Sequence, residues 1–303
     1  MKYTKPALTF EQQADLLLTR GMTGDRAAVI QRLRVVNYYR LSGYWFPYRR
    51  LDDSFEPGTT FDTVWQHYVF DRRLRLLVMD AVERMEVAVR SQLSYHHAHR
   101  HGPFAYGTNP ASLPKLRPEK WQDFLGRIKD ETRRSRDQFM VSFRAKHGDC
   151  HALPPIWMAT EVMAFGTIVT LFLGMEQDLK QQIAAEWGVP DTIFESWLHA
   201  LNSIRNICAH HGRLWNRRLP TKPLIPGQRK NPQWHQPATM DQNSIYAILT
   251  ICKYALDRIA PQSRWPIRLR SLLQEFPQIH RLSMGFPDQW ETCPIWKGAD
   301  SAT

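Results

Sequence analysis

The residues best suited to chemistry lie near the end of one predicted helix, where Arg205 is followed five positions later by His210. Histidine ordinarily titrates near neutral pH and can move protons to and from ribose oxygens, and the negative end of a helix dipole favours its charged form. Arginine can neutralise charge that develops on a pentacoordinate phosphorus. With the 2′-hydroxyl of RNA as the nucleophile, these two side chains are sufficient for metal-independent strand cleavage.

The helix that carries them is predicted to run from Thr192 to Gly212. Thr192 and Glu195 match a T-x-x-E capping box at its start, and Gly212 supplies a stop. Apolar residues recur with helical spacing on one side: Phe194, Trp197, Leu198, Leu201, Ile204 and Cys208. The opposite side is uncharged but rich in hydrogen-bonding groups, and we call it the polar stripe: His199, Asn202, Ser203, Asn206 and His210. A stripe of this kind is more typical of a site than of plain solvent surface.

Geometry and chance both complicate this interpretation. Arg205 and His210 lie about 140° apart on an ideal helix, so that Arg205 leaves from the apolar side. A long side-chain reach, a distorted helix end or a second protomer is needed to bring them together. Arginine and histidine also recur with a similar gap at Arg90–His96 and Arg144–His151. A lone histidine is more often an ordinary donor at a packed or solvated helix end.

Metal and covalent chemistry have less support. Four histidines cluster at positions 96, 97, 99 and 101, but no carboxylate or cysteine lies near them in the sequence. The four cysteines form no C-x-x-C pair, and neither a phosphate-binding glycine loop nor a nucleophile elbow occurs. We therefore expect no metal site and no cofactor.

The composition favours a nucleic-acid partner. The chain has 40 Lys and Arg against 29 Asp and Glu, a net charge of +11, and 12% aromatic residues. A basic surface interleaved with aromatic rings suits RNA or single-stranded DNA, although a basic charge can also serve only to keep a protein in solution. The run Tyr38-Tyr39-Arg40 either clamps RNA bases or packs in the core. The basic segment Trp121–His147 could track a phosphate backbone, although most such segments are solvated helix faces.

Several features predict a cytoplasmic protein without a membrane role. The first residues lack the apolar segment of a secretion signal, and the widely spaced cysteines indicate free thiols in a reducing compartment. The apolar stretch Pro155–Met175 contains a central glutamate, Glu161, which is costly in lipid. We interpret this stretch as a buried core helix.

Helical patterns account for most of the chain and no series of alternating strands is evident, so the predicted fold class is all-α. Thr9 and Gln12 form a capping box at the first helix. The further predicted helices are Thr9–Arg20, Asp25–Asn37, Phe61–His97, Ser244–Arg258 and Ile267–Phe276. A turn-rich segment ending near Gly58 separates an N-terminal aromatic and basic module, 1–56, from a helical core, 57–260, which a C-terminal helix and tail, 261–303, follow.

The segment Arg205–His210, R-N-I-C-A-H, resembles the R-N-x-x-x-H signature of HEPN-domain ribonucleases. The wider chain resembles the abortive-infection (Abi-like, AbiD/AbiF) branch of that superfamily. The segments that carry this wider resemblance are 37–44, 155–157, 165–167, 212–216 and 284–287.

The resemblance implies a HEPN-like helical bundle with an N-terminal helical extension. It implies a homodimer that faces two copies of the motif across a shared cleft, and endoribonuclease activity that is restrained until phage infection. Arg205 would stabilise the transition state, His210 would be the acid or base, and Asn206 would orient the substrate or the histidine. The residues expected to contact RNA are Tyr38, Tyr39, Arg40, Glu86, Arg90, His211 and Arg213.

The same resemblance leaves a second function open. Some members of the superfamily bind RNA without cutting it, so an intact motif does not by itself imply turnover. The alternative is a non-catalytic RNA-binding protein that is held in complex with a small structured RNA.

Overall fold

The computed structural model describes residues 2, 4 and 6–297 of the chain, and within them the fold is built from α-helices without a β-sheet. This confirms the predicted all-α class. The helices of the described chain are α1 Phe10–Thr19, α2 Arg26–Val35, α3 Tyr38–Trp45, α4 Phe61–His101, α5 Ala105–Thr108, α6 Pro118–Arg134, α7 Gln138–His147, α8 Ile156–Val162, α9 Phe165–Gly174, α10 Gln177–Glu186, α11 Asp191–Ala209, α12 Ile245–Ile259 and α13 Trp265–Glu275.

Helix α4 is the axis of the fold. It is 41 residues long and contacts α3, α8, α9, α10, α11, α12 and α13. Its buried apolar residues recur every three or four positions, which is the spacing of one face of a helix: Phe70, Leu74, Val78, Ala81, Met85, Val89 and Leu93. Each fully buried leucine or valine stabilises the fold by about 1.5–3 kcal/mol relative to an exposed one. Side chains on α4 therefore have fixed positions relative to α3 and α11, which pack against it.

The first two helices begin where local sequence signals place them. Thr9 and Gln12 form the predicted capping box of α1, with the Gln12 backbone N–H 3.2 Å from the Thr9 hydroxyl. The Asp25 carboxylate accepts from the backbone N–H of Ala28 at 2.8 Å and caps α2. Both caps satisfy backbone donors that a helix start leaves without intrahelical partners.

The capping box predicted for α11 is wrong. Helix α11 begins at Asp191, directly after Pro190, so Thr192 lies inside its first turn and no side chain caps the start. Glu195 instead pairs with Lys180 of α10, with the nitrogen and oxygen 2.5 Å apart. A proline at the helix start fixes the backbone there and, because it has no N–H, needs no hydrogen-bond acceptor.

The stretch Pro155–Met175, predicted as one core helix, is two helices that break at Met163. The break leaves the last carbonyls of α8 without partners on the helix, and the Arg90 guanidinium donates to the carbonyls of Thr160 and Glu161 at 2.7 Å each. On the other side of the break, the Thr167 hydroxyl donates to Glu131 of α6 at 2.9 Å. No helix among the described residues is both long and apolar enough to cross a lipid bilayer.

The histidine cluster at the end of α4 meets carboxylates that the local sequence does not show. His96 lies 2.6 Å from Glu186, and His101 lies 3.0 Å from Glu176, and both glutamates belong to the neighbourhood of α10. His97 points the other way and is fully buried. Desolvation, with the nearby His101 charge, lowers the pKa of His97 to about 4.

We predict that His97 makes folding stability fall as the pH is lowered from about 6.5 to about 4. In that window the unfolded chain takes up a proton that the folded protein excludes, so acid favours the unfolded state, by about 2–3 kcal/mol at the lower end. Urea unfolding at pH 7 and pH 4.5 measures this effect. His97→Leu removes this part of the pH dependence, whereas His99→Leu, at an exposed position, keeps it. An unchanged pH dependence in His97→Leu contradicts the prediction.

Candidate functional site

The helix that carries Arg205 ends one residue before His210. The backbone N–H of Gly212 donates to the Ile207 carbonyl at 2.7 Å, and that of His211 donates to the Cys208 carbonyl at 3.0 Å. These two bonds are the pattern of a Schellman turn, with His211 in the left-handed region at φ 57°. The helix predicted to reach Gly212 is therefore shorter. The backbone N–H of His210 still donates to the Asn206 carbonyl at 3.0 Å, so His210 keeps the helical register that separates it from Arg205.

The motif residues differ in their exposure. Asn206, His210 and His211 are exposed, whereas 36% of the Arg205 side chain is accessible. Ile204 and Cys208, on the apolar side, are buried. Burial raises the pKa of the Cys208 thiol to about 12, so this cysteine is protonated at neutral pH and is a poor nucleophile. No hydrogen bond in the described chain links Arg205 to His210.

A buried carboxylate lies beneath Arg205. One oxygen of Glu86 is 3.9 Å from the Nε of Arg205, and the other accepts a hydrogen bond from Arg90, one turn along α4. Glu86 is only 8% exposed. Its charge holds Arg205 at the end of α11 and leaves one unit of positive charge for the three groups together. The terminal nitrogens of Arg205 make no hydrogen bond within the described residues.

Arg90 is used differently from Arg205. Besides Glu86, it donates to the carbonyls of Thr160, Glu161 and Met163, the last at 2.8 Å. These contacts bind α4 to the end of α8 and keep most of the guanidinium inside the protein. The structure thus brings Glu86, Arg90 and Arg205 together, with Arg205 as the member nearest to solvent.

Helix α3 lies beside the turn that follows the motif. Arg40 donates to the backbone carbonyl of His211 at 2.6 Å. Tyr39, next to it, is 86% exposed, so its ring is free to stack. Tyr38 packs edge-on against Trp45 with ring centroids 4.9 Å apart, and burial raises its pKa. Within the run Tyr38-Tyr39-Arg40, Tyr38 therefore packs against the core, whereas Tyr39 faces solvent.

Arg213 ties the turn to α3. It donates to the backbone carbonyl of Gly43, and its guanidinium lies 5.9 Å from the ring centre of Trp215. Gly43 has no side chain, and the Arg213 chain passes 3.7 Å from the position that a Cβ would occupy there. Burial lowers the pKa of Arg213. The Arg213 guanidinium thus makes a hydrogen bond within the protein, whereas the terminal nitrogens of Arg205 make none within the described residues.

The group that fixes this turn, Asp71 of α4, is not among the residues predicted from the sequence. One of its oxygens accepts from the backbone N–H groups of Leu214 and Trp215 at 2.8 and 2.6 Å. The other accepts from the Tyr44 hydroxyl at 2.6 Å and from Arg75. We call these five groups the Asp71 cluster. The available signal was an aspartate within the apolar series of α4 with an arginine four residues later.

The Asp71 cluster is sealed from solvent. Asp71 is 0% exposed and Arg75 is 6% exposed. Burial raises the pKa of the Asp71 carboxyl, and the Arg75 charge, the Tyr44 hydroxyl and the two backbone N–H groups act against that rise. Four donors on one carboxylate satisfy its hydrogen-bonding capacity, which is the condition under which a buried charge is tolerated.

Comparison with known proteins gives one match. A family model described as "Abi-like protein" matches residues 31–216, which is more than half of the chain and includes α3, α4 and the Arg205–His210 motif. No curated protein and no solved structure matches.

We predict that Asp71→Ala lowers the free energy of unfolding by about 3–5 kcal/mol, because it leaves Arg75 buried without its partner and two backbone N–H groups without an acceptor. Urea titration followed by circular dichroism measures the loss. Asp15→Ala, which removes an exposed carboxylate from its 2.6 Å pair with Arg26, is the matched control and costs less than about 1 kcal/mol.

If Asp71→Ala does not fold, Tyr44→Phe gives the same test in a milder form. It removes one donor from the Asp71 cluster and is expected to cost about 1–2 kcal/mol. Equal losses in Asp71→Ala and Asp15→Ala, or none in Tyr44→Phe, contradict the role given to the Asp71 cluster.

Proposed function

This chain belongs to the Abi-like protein family, and we propose that it is a metal-independent endoribonuclease that acts in abortive infection, a defence against phage. The family membership supports the abortive-infection role. The observation that carries the nuclease assignment is the end of α11, where Arg205 and the exposed His210 lie next to a turn that Arg40 of α3 contacts.

The proposed reaction is a transesterification within the RNA. The 2′-oxygen of a ribose attacks the adjacent phosphorus as it loses its proton to a base, and the bond from phosphorus to the 5′-oxygen of the next nucleotide breaks. The leaving 5′-oxygen takes up a proton from an acid. The products carry a 2′,3′-cyclic phosphate and a 5′-hydroxyl. Because the RNA supplies the nucleophile, the protein needs only proton transfer and charge stabilisation.

The roles follow from position and charge. His210 transfers the proton, since its ring is exposed at a helix end. Arg205 stabilises the negative charge on the phosphorus oxygens, since its terminal nitrogens have no protein partner in the described chain. Glu86 is a positioning residue that holds Arg205 from below. Asn206 orients the substrate or His210.

We propose that two copies of the chain form one site. The transesterification requires one group that accepts a proton and another that donates one, and the Arg205–His210 motif contains one histidine per chain. A twofold axis near the end of α11 supplies the second histidine and a second Arg205. Light scattering on the purified protein tests this arrangement, and a mass of one chain at working concentration contradicts it.

We predict that Arg205→Ala and His210→Ala each abolish RNA cutting and toxicity to the host cell while the fold is retained. The expected losses are about 10²–10³-fold for the arginine and about 10²–10⁴-fold for the histidine. Cutting of total RNA is measured in the presence of a chelator, and circular dichroism verifies folding. The matched control is His199→Ala, since His199 is an exposed histidine of the same polar stripe, and this variant cuts like the wild type.

The alternative function gives a different pattern in the same assay. A non-catalytic RNA-binding protein retains RNA through purification and cuts none, and His210→Ala changes neither property. Wild-type cutting rates in Arg205→Ala or His210→Ala overturn the roles assigned to these residues.

A further inference from the structure

The segment that follows the motif is strongly basic. Residues 213–240 contain no aspartate or glutamate, and we call them the basic loop. Its basic residues are Arg213, Arg217, Arg218, Lys222, Arg229 and Lys230. Only the first four residues of the basic loop lie within the family match, which ends at residue 216.

The basic loop is held against α11 at several points, although it has little regular structure. Near the start of the basic loop, the backbone N–H of Trp215 donates to Asp71. Further along, the backbone N–H of Leu219 donates to the Asn243 carbonyl at 2.8 Å. The backbone N–H of Leu224 donates to the Ser196 hydroxyl at 2.9 Å, and the Trp197 indole N–H donates to the Leu224 carbonyl at 2.8 Å.

The last part of the basic loop is anchored in the same way. His235 lies 2.8 Å from the Pro226 carbonyl, and the fully buried Trp234 packs against Trp197 with ring centroids 5.4 Å apart. These contacts anchor the basic loop to the rest of the protein, and an anchored segment loses less conformational entropy when it binds a ligand.

The charged residues lie between these anchors and face solvent. Arg217 folds back over Gly212, next to the motif, and Arg218 lies 3.7 Å from Asp241. Lys222, Arg229 and Lys230 are exposed and make no ion pair with any described residue. An array of exposed cations without counter-charges on a fixed backbone attracts a polyanion.

The direction of the basic loop connects this charge to the candidate site. The basic loop begins beside His211, just after α11 ends at Ala209. Through the Leu224 carbonyl it contacts Trp197, which lies twelve residues before Ala209 on the same helix. At 1.5 Å per residue this path is about 18 Å long, roughly five stacked nucleotides at 3.4 Å each.

We propose that the basic loop binds the phosphates of a single-stranded segment of the RNA substrate and leads it along α11 to or from the cleavage site. This proposal rests on the proposed function, because the RNA that the basic loop holds is the strand cut at Arg205 and His210. It makes single-stranded RNA the substrate class, since an unpaired strand can follow a path along one helix and place its scissile phosphate at the motif.

The test measures binding of a fluorescein-labelled, unstructured RNA of fifteen nucleotides in chelator, by fluorescence anisotropy across a salt series. The His210→Ala background prevents cutting during the measurement. The loop variant is Lys222→Gln/Arg229→Gln/Lys230→Gln. The matched control is Arg72→Gln/Lys115→Gln/Arg117→Gln, which removes the same charge from exposed positions outside the basic loop and outside Trp121–His147 that form no ion pair with described residues.

The loop variant is expected to bind about tenfold more weakly at low salt, and the slope of log Kd against log salt is expected to decrease by about two. The control variant is expected to bind like its parent. Equal weakening in both variants, or weakening in the control alone, overturns the proposal.

Cutting assays in the wild-type background separate this proposal from the proposed function. The loop variant is expected to raise KM for the same RNA and to leave kcat unchanged. If the wild type cuts no RNA but the loop variant still weakens binding, the nuclease assignment fails and the basic loop remains an RNA-binding surface. If the wild type cuts RNA and the loop variant has the same KM and Kd, the basic loop proposal fails alone.

Discussion

The carboxylate of Asp71 connects three parts of the chain that lie far apart in the sequence. It accepts hydrogen bonds from Tyr44 on α3, from Arg75 on α4 and from the backbone after α11, up to 144 positions away. Replacing such a buried pair by apolar residues is often neutral for stability, but losing one partner is not. The Asp71 cluster therefore contributes mainly geometry. It fixes the turn that follows His210 and the start of the basic loop, and it places α3 beside both.

Helix α4 carries two acid–arginine pairs with opposite surroundings. Asp71 and Arg75 form one pair, which is sealed and contacts only the protein. Glu86 and Arg90 form the other, about four turns further on, and there the carboxylate is shared with the half-exposed Arg205. The first pair determines where the chain turns, and the second determines where a cation meets solvent. One rigid helix thus sets the separation between the structural and the chemical parts of the site.

The sequence predicts those features that depend on neighbouring residues. The helical periodicity of α4 and the Thr9 capping box depend on residues a few positions apart, and both are confirmed. The break between α8 and α9 depends on Arg90, some 70 positions away, and the partner of His96 comes from 90 positions away. Pattern analysis of one sequence cannot detect such contacts. The capping box at Thr192 failed for a local reason, because the helix begins at Asp191, directly after Pro190.

For the candidate site, the motif could be identified by its residue types and its resemblance, but its geometry could not. The Schellman turn at His211 ends the helix before the predicted Gly212, and the carboxylate beneath Arg205 comes from Glu86 on a different helix. The chemistry of the RNA ends that the wild-type protein produces in the presence of a chelator tests the proposed reaction most directly. The proposed reaction yields a 2′,3′-cyclic phosphate and a 5′-hydroxyl. Ends with a 3′-hydroxyl and a 5′-phosphate, or cutting that stops in chelator, contradict it.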